Sequence, residues 1–202
     1  GIFKILGIKE NELISSSKNK HIAADQIICL DHPWYHKGII QDQVKKLPKW
    51  VVFINRKIFL KEGSKFKCSK KIFLDRIDSR FNHCQIFDQK QVNKWIKKKD
   101  LSIYKPEKLS FKKQIYLFKN ASIILGAHGA AFTNIIFCKP GTKIIEIIPE
   151  DHPNRKCERL SKILKLKHFR IVTKSDNSNK NFPFRIHLEE KHLKMIDEAI
   201  NL

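Results

Sequence analysis

Long apolar runs are missing from this sequence. No stretch reaches the ~18 residues that a membrane-spanning helix needs, and no signal peptide opens the chain. Acidic residues are scarce: 20 Asp plus Glu against 41 Lys plus Arg leave a formal charge of +21. Such a field draws polyanions or nucleotide phosphates and holds a chain near acidic membranes. Most of the excess is lysine, spread over every segment beside abundant Ile and Asn. That is the pattern of an AT-rich coding sequence and a solvated surface. The five cysteines, Cys29, Cys68, Cys84, Cys138 and Cys157, form no CxxC and no Cys/His cluster. Their spacing argues against a zinc site, and their odd number fits a reducing compartment. Internal repeats and low-complexity linkers are absent too, while 42% hydrophobic and 10% aromatic residues argue against disorder. The chain opens Gly-Ile-Phe rather than with Met, as expected of a processed product or a fragment.

What is present is an alternation of short strands and helices. A first candidate strand is Asp25–Leu30, ended by Asp31-His32-Pro33. Leu47, Val51, Ile54 and Ile58 fall at helical spacing. The polar, basic segment Lys61–Lys71 is the best boundary, and it divides residues 1–65 from 66–202. Beyond it, strands are expected at Lys71–Asp75, Leu101–Tyr104, Ser122–Leu125, Lys143–Ile148 and His168–Thr173. Between them lie a helix capped by Asp88 with Gln91, one capped by Ser110, and one carrying Cys157, Leu160 and Ile163. An amphipathic helix over Leu188–Ile200 closes the chain. Such alternation implies crossovers, hence an α/β fold with a Rossmann-like parallel sheet and helices on both faces.

In open α/β sheets ligands sit outside the carboxyl ends of the strands. Gly126-Ala127-His128-Gly129-Ala130-Ala131 is a loop of that kind. Gly126 and Gly129 allow sharp turning and close approach of a ligand, the alanines keep the surroundings small, and His128 offers a ring donor. Phe132–Phe137 can open a helix whose free N–H groups face an anion. The sequence is neither GxGxxG nor a P-loop, and spacing alone leaves a diphosphate cradle and a tight strand-to-helix turn equally open. Two features accompany the loop. Arg76 and Arg80, followed by Asn82, stand just past a strand, where guanidinium forks suit phosphate oxygens. Lys139-Pro140-Gly141-Thr142 delivers the strand carrying Glu146, a carboxylate suited to ribose hydroxyls or to solvent.

In this order the elements resemble the glycosyltransferases of family 61. The resemblance rests on Arg76, Arg80 and Asn82, then Ser110, Phe111 and Gln114. It continues through Gly126, His128, Gly129, Ala130, Asn134 and Phe137 to Pro140, Gly141, Thr142 and Glu146. It is strongest from Lys71 to Glu150. It implies a GT-B fold, with residues 66–202 as the donor-binding half and residues 1–65 as a remnant of the acceptor side. The chain is then an N-terminally incomplete member. Implied chemistry is inverting transfer of a sugar from a nucleotide donor, a UDP-sugar, to an acceptor hydroxyl of a glycan or glycoconjugate. No metal or other cofactor is implied as required. Arg80 and His128 are the expected catalytic groups, neutralising the leaving diphosphate. Arg76, Asn82, Gln114, Gly126, Gly129, Ala130, Asn134 and Glu146 are the expected nucleotide-binding set. Asp31, His32 and His36 are candidates for the general base. The implied setting is the cytoplasm, peripheral to the inner membrane face, rather than the secretory lumen.

Two other functions fit parts of the sequence. Lys45–Lys71 holds ten Lys/Arg and one acidic residue, which suits a basic nucleic-acid-binding domain, but no recognisable binding signature accompanies it and no specific nucleic acid is expected. A non-catalytic relative serving as an interaction module is the other; retention of both arginines, His128 and Glu146 argues against it.

Overall fold

A computed structural model describes residues 2–28, 46–76, 83–87, 89–152, 155–176 and 184–202, without the side chains of 89–91. Its centre is a five-stranded, wholly parallel sheet: β1 (Lys71–Leu74), β2 (Ser102–Tyr104), β3 (Ile123–Ala127), β4 (Lys143–Pro149) and β5 (Lys167–Thr173). The spatial order is β2-β1-β3-β4-β5. The chain therefore steps outward from β1 to β2, returns past β1, and continues the other way through β3. That reversal puts a topological switch point between β1 and β3, the place where doubly wound sheets hold ligands.

Helices cover both faces. Alternation along β1 sends Ile72 and Leu74 to one side and Phe73 to the other. On the first side Ile72, Leu74, Ile124 and Ile144 pack against α2 (Lys49–Phe59), α4 (Phe111–Asn120) and α5 (Lys156–Leu164). On the second, Phe73, Leu125, Ile145 and Ile147 meet Val92 and Ile96 of α3 (Gln89–Lys98) and Ile196 of α6 (Glu190–Asn201). Strands buried on both faces read as continuous apolar runs. β4, KIIEIIP, is such a run, interrupted by Glu146.

Several helix boundaries follow local chemistry. Ser110 Oγ accepts the backbone N–H of Lys113 and caps α4. Backbone carbonyls at residues 136 and 138 are satisfied by Arg56 of α2, whose Nη1 donates to the carbonyls of Ile136 and Cys138. Val52 and Phe59 of α2, in the segment assigned on sequence to residues 1–65, belong to the same core as Ile115 and Leu160. A short helix α1 (Ile2–Ile5) precedes it, and a two-stranded antiparallel ribbon, β6 (Ser175–Asp176) with β7 (Arg185–Ile186), follows the sheet.

Two expectations differ. Asp25–Ile28 forms no strand, and Ile27 and Ile28 are 69% and 80% exposed. Its apolar residues meet no sheet edge there, and a strand without a ladder is not stable; Cys29 and Leu30 lie outside the described residues. The helix expected at Phe132–Phe137 is a 3-10 helix over Ala130–Phe137. With three residues per turn, Phe132, Ile135 and Cys138 align on one edge, and all three are fully buried. Asp88, proposed to cap α3, lies outside the described residues.

Candidate active site

The crevice at the switch point is built by backbones that come unusually close. Leu74 of β1 is in register with Gly126 of β3. A Cβ on Gly126 would stand 3.0 Å from both Cβ and the carbonyl oxygen of Leu74, so glycine is needed for inter-strand contact. Past the strand ends, Asp75 and Arg76 leave β1, while His128 and Gly129 leave β3. The Arg76 guanidinium occupies the space beside Gly129, where a Cβ would fall 1.1 Å from Nη1. Gly129 has φ 170°, ordinary extended backbone. Both glycines thus serve close approach, and the sharp turn expected of them is not their role.

Arg76 is held by His83. Its Nη2 donates to the carbonyl oxygen of His83 at 3.3 Å and faces His83 Nδ1 at 3.4 Å. Its Nε is buried and has no hydrogen-bond partner among the described residues. Burial presses the guanidinium below its ordinary value, so a ligand anion that supplies acceptors would be stabilising there. Asp75 and Arg76, with Cys84, Gln85 and Ala127, line a small cleft at this point.

His128 is held from behind. Its backbone N–H donates to the Ile147 carbonyl at 2.7 Å, and its ring is 3% exposed. Nδ1 lies 2.5 Å from Glu146 Oε1, while the other carboxylate oxygen, Oε2, lies 2.9 Å from His168 Nε2. Burial would raise the Glu146 carboxyl, but hydrogen bonds from His128 and His168 and the His128 charge outweigh it and hold it well below its ordinary range. Both imidazoles therefore donate to an ionised carboxylate. Glu146 is the fourth of seven residues in β4 and 2% exposed, which corrects the reading of a carboxylate at a strand end facing ribose or solvent. Its neighbours in register are Gly126, which carries no side chain, and Arg170.

A second pair of imidazoles shares the rim. The His152 ring centroid is 4.4 Å from His128 and 6.4 Å from His83. Burial, then the charge on His128, pushes His152 down to about 4. Burial and the Arg76 charge also lower His83. Lys156, at the start of α5, donates from Nζ to Thr133 Oγ1 at 2.9 Å and is lowered chiefly by burial, with Arg76 adding to it. Two groups bring three possible metal ligands within 4.8 Å: His83 with Cys84 and His152, and His128 with Glu146 and Cys157. Their members come from distant segments, so linear spacing could not reveal them. The first group carries the Arg76 guanidinium, and the carboxylate of the second is already spanned by two imidazoles, an environment better suited to an anion than to a cation.

The expected residues divide accordingly. Arg76, Gly126, His128, Gly129 and Glu146 converge at the switch point. Ala130 is exposed at the start of the 3-10 helix. Gln114 and Asn134 bond to each other, Asn134 Nδ2 donating to Gln114 Oε1 at 2.8 Å, and Gln114 Nε2 donates to the Leu109 carbonyl. They brace α4 against the 3-10 helix. Arg80, Asn82, Asp31, His32 and His36 lie outside the described residues. Sequence reasoning missed His83, His152, Lys156 and His168. The first three follow the carboxyl ends of β1 and β4, so the strand-end rule applied to every strand would have flagged them.

Comparison with known proteins agrees with this geometry. The model of the family described as Glycosyltransferase 61 matches residues 5–145. The chain is similar to xylan glycosyltransferase MUCI21 of Arabidopsis thaliana, at 39% identity over 51 residues, which is 25% of this chain and 10% of that protein. It is also similar to a beta-1,2-xylosyltransferase of the same plant, at 39% identity over 54 residues, 27% of this chain and 10% of that protein. The chain thus spans about a tenth of the length of the curated relatives it matches. With the family match covering well over half of its residues, the chain belongs to the glycosyltransferase 61 family.

Proposed function

We propose that this chain carries the donor-binding half of a GT-B glycosyltransferase that moves a sugar from a UDP-sugar to an acceptor hydroxyl with inversion, in polysaccharide or glycoconjugate synthesis. The observation that carries the reading is the Arg76 guanidinium packed against Gly129, the residue that follows His128, at the reversal of strand order. A diphosphate placed there would face the unpartnered Arg76 Nε. In the transfer, the acceptor oxygen bonds to the anomeric carbon while the bond from that carbon to the β-phosphate oxygen breaks. The electron pair leaves on the diphosphate, and the acceptor proton passes to a base. Arg76, His128 and Lys156, with Arg80 from the neighbouring segment, would neutralise the departing charge, the largest single contribution in reactions of this kind. Glu146 acts through His128 and is a positioning residue. Family membership and the names of the matched relatives support glycosyl transfer in general; the cationic crevice supports a nucleoside diphosphate as leaving group. A strongly basic chain at the cytoplasmic membrane face fits the charge of +21.

The test is calorimetry with UDP and UDP-sugars, with heparin as a polyanion control. Saturable UDP binding that Arg76→Ala weakens by about 10- to 100-fold, the size of a lost charged hydrogen bond, supports the reading. Binding of heparin alone, abolished by salt, would overturn it.

A further inference from the structure

The Glu146 carboxylate has two imidazole partners where the proposed reaction uses one. His168 stands on β5, one strand beyond Glu146, and period-two alternation puts it on the same sheet face. It takes no part in the cleft rim. Its Nε2 reaches Oε2 at 2.9 Å while His128 Nδ1 holds Oε1, and Cys157 of α5 adds a further hydrogen bond to the same carboxylate.

A lone buried carboxylate is costly, because desolvation outweighs a single contact. It is also free to rotate about its last bond, which would let the His128 bond swing between its two oxygens. With Oε2 held by His168, Oε1 is directed at His128 and accepts a proton from Nδ1. Ring nitrogen identity in histidine is set by what the other nitrogen bonds to. His128 then keeps its proton on Nδ1 and turns Nε2 away from Glu146. We propose that His168 is a positioning residue for His128: by fixing Glu146 it sets the tautomer and orientation in which His128 meets a diphosphate. This rests on the donor-site reading above for its functional consequence, though not for its structural one.

The experiment uses the whole chain with nitrogen-15-labelled histidine, comparing the parent with His168→Phe and His168→Gln. Glutamine can place an amide N–H where Nε2 stood; phenylalanine cannot. Long-range proton–nitrogen correlation spectra read the His128 tautomer, and calorimetry with UDP reads affinity. The expected result is Nδ1-protonated His128 in the parent and mixed tautomers with about 10-fold weaker UDP binding in His168→Phe. Recovery of both is expected in His168→Gln. Should His168→Phe fail to fold, His168→Ala, which also lacks the donor, takes its place, and a parent-like tautomer in that folded variant overturns the proposal. Unchanged tautomer and affinity in folded His168→Phe also overturn it. If the parent does not bind UDP, the donor reading falls, while the tautomer comparison still decides the role of His168.

Discussion

The cleft holds two pairs of histidines that share a neighbourhood and differ in chemistry. His128 and His168 grip one buried carboxylate, at 2.5 and 2.9 Å. His83 and His152 lie beside Arg76 and against His128, and both are pushed down by burial and by neighbouring positive charge. Ring centroids of His128 and His152 are only 4.4 Å apart. The difference shows that the partner, more than the location, decides what an imidazole does in the cleft. Glu146 gives each ring of the first pair a carboxylate oxygen. The second pair is lowered first by burial and then by its cationic neighbours, both of which disfavour the charged ring.

Removing Glu146 should break this contrast most severely. Glu146→Ala leaves the buried His128 ring and the half-buried His168 ring without their acceptor, and each unsatisfied donor costs about 1–3 kcal/mol. Denaturant unfolding should show a loss of that size, and Glu146→Gln, which keeps an acceptor, a smaller one. Next comes the crevice itself. Gly129→Ala puts a methyl where Arg76 Nη1 now sits and should displace the guanidinium. UDP affinity should fall about as far as in Arg76→Ala, with little loss of thermal stability, since the guanidinium can swing toward solvent.

The two pairs should also separate on acidification. Folded His152 titrates at about 4 against an ordinary 6.5. Between those values the unfolded chain binds the proton and the folded chain does not, so stability falls as pH drops from 6.5 toward 4. His152→Phe should flatten thermal stability across that window. The depressed Glu146 contributes stability above its ordinary value of 4.5 that is lost only below it, and this second loss should remain in His152→Phe. The smallest effect is expected away from the cleft. Ser110→Ala removes the cap on Lys113 N, costing about 1 kcal/mol, or roughly 2–4 °C in Tm for a chain of this size. UDP affinity should not change.

Most of the fold was legible in the sequence, because it follows from local rules. Apolar runs such as KIFL and KIIEII give buried parallel strands, and Ser110 marks a helix start. The Gly126–Phe137 segment announced the loop where the crevice forms. Less legible was what depends on distant pairings. Glu146 reads as a strand-end carboxylate until the register with β5 brings His168 to its second oxygen. The need for Gly129 is visible only once Arg76, more than fifty residues earlier, is seen against it. Asp25–Ile28 shows the opposite error: β-prone residues do not make a strand where no neighbouring strand meets them.

The diphosphate site proposed for Arg76 and His128 stands at the β1/β3 reversal. Calorimetric titration of UDP into the parent chain, Arg76→Ala and His128→Ala, at fixed salt and with each variant shown to be folded, tests it most directly. Saturable one-to-one binding is expected in the parent, and at least about 10-fold weaker binding in each variant. Parent-like UDP affinity in both folded variants would contradict it.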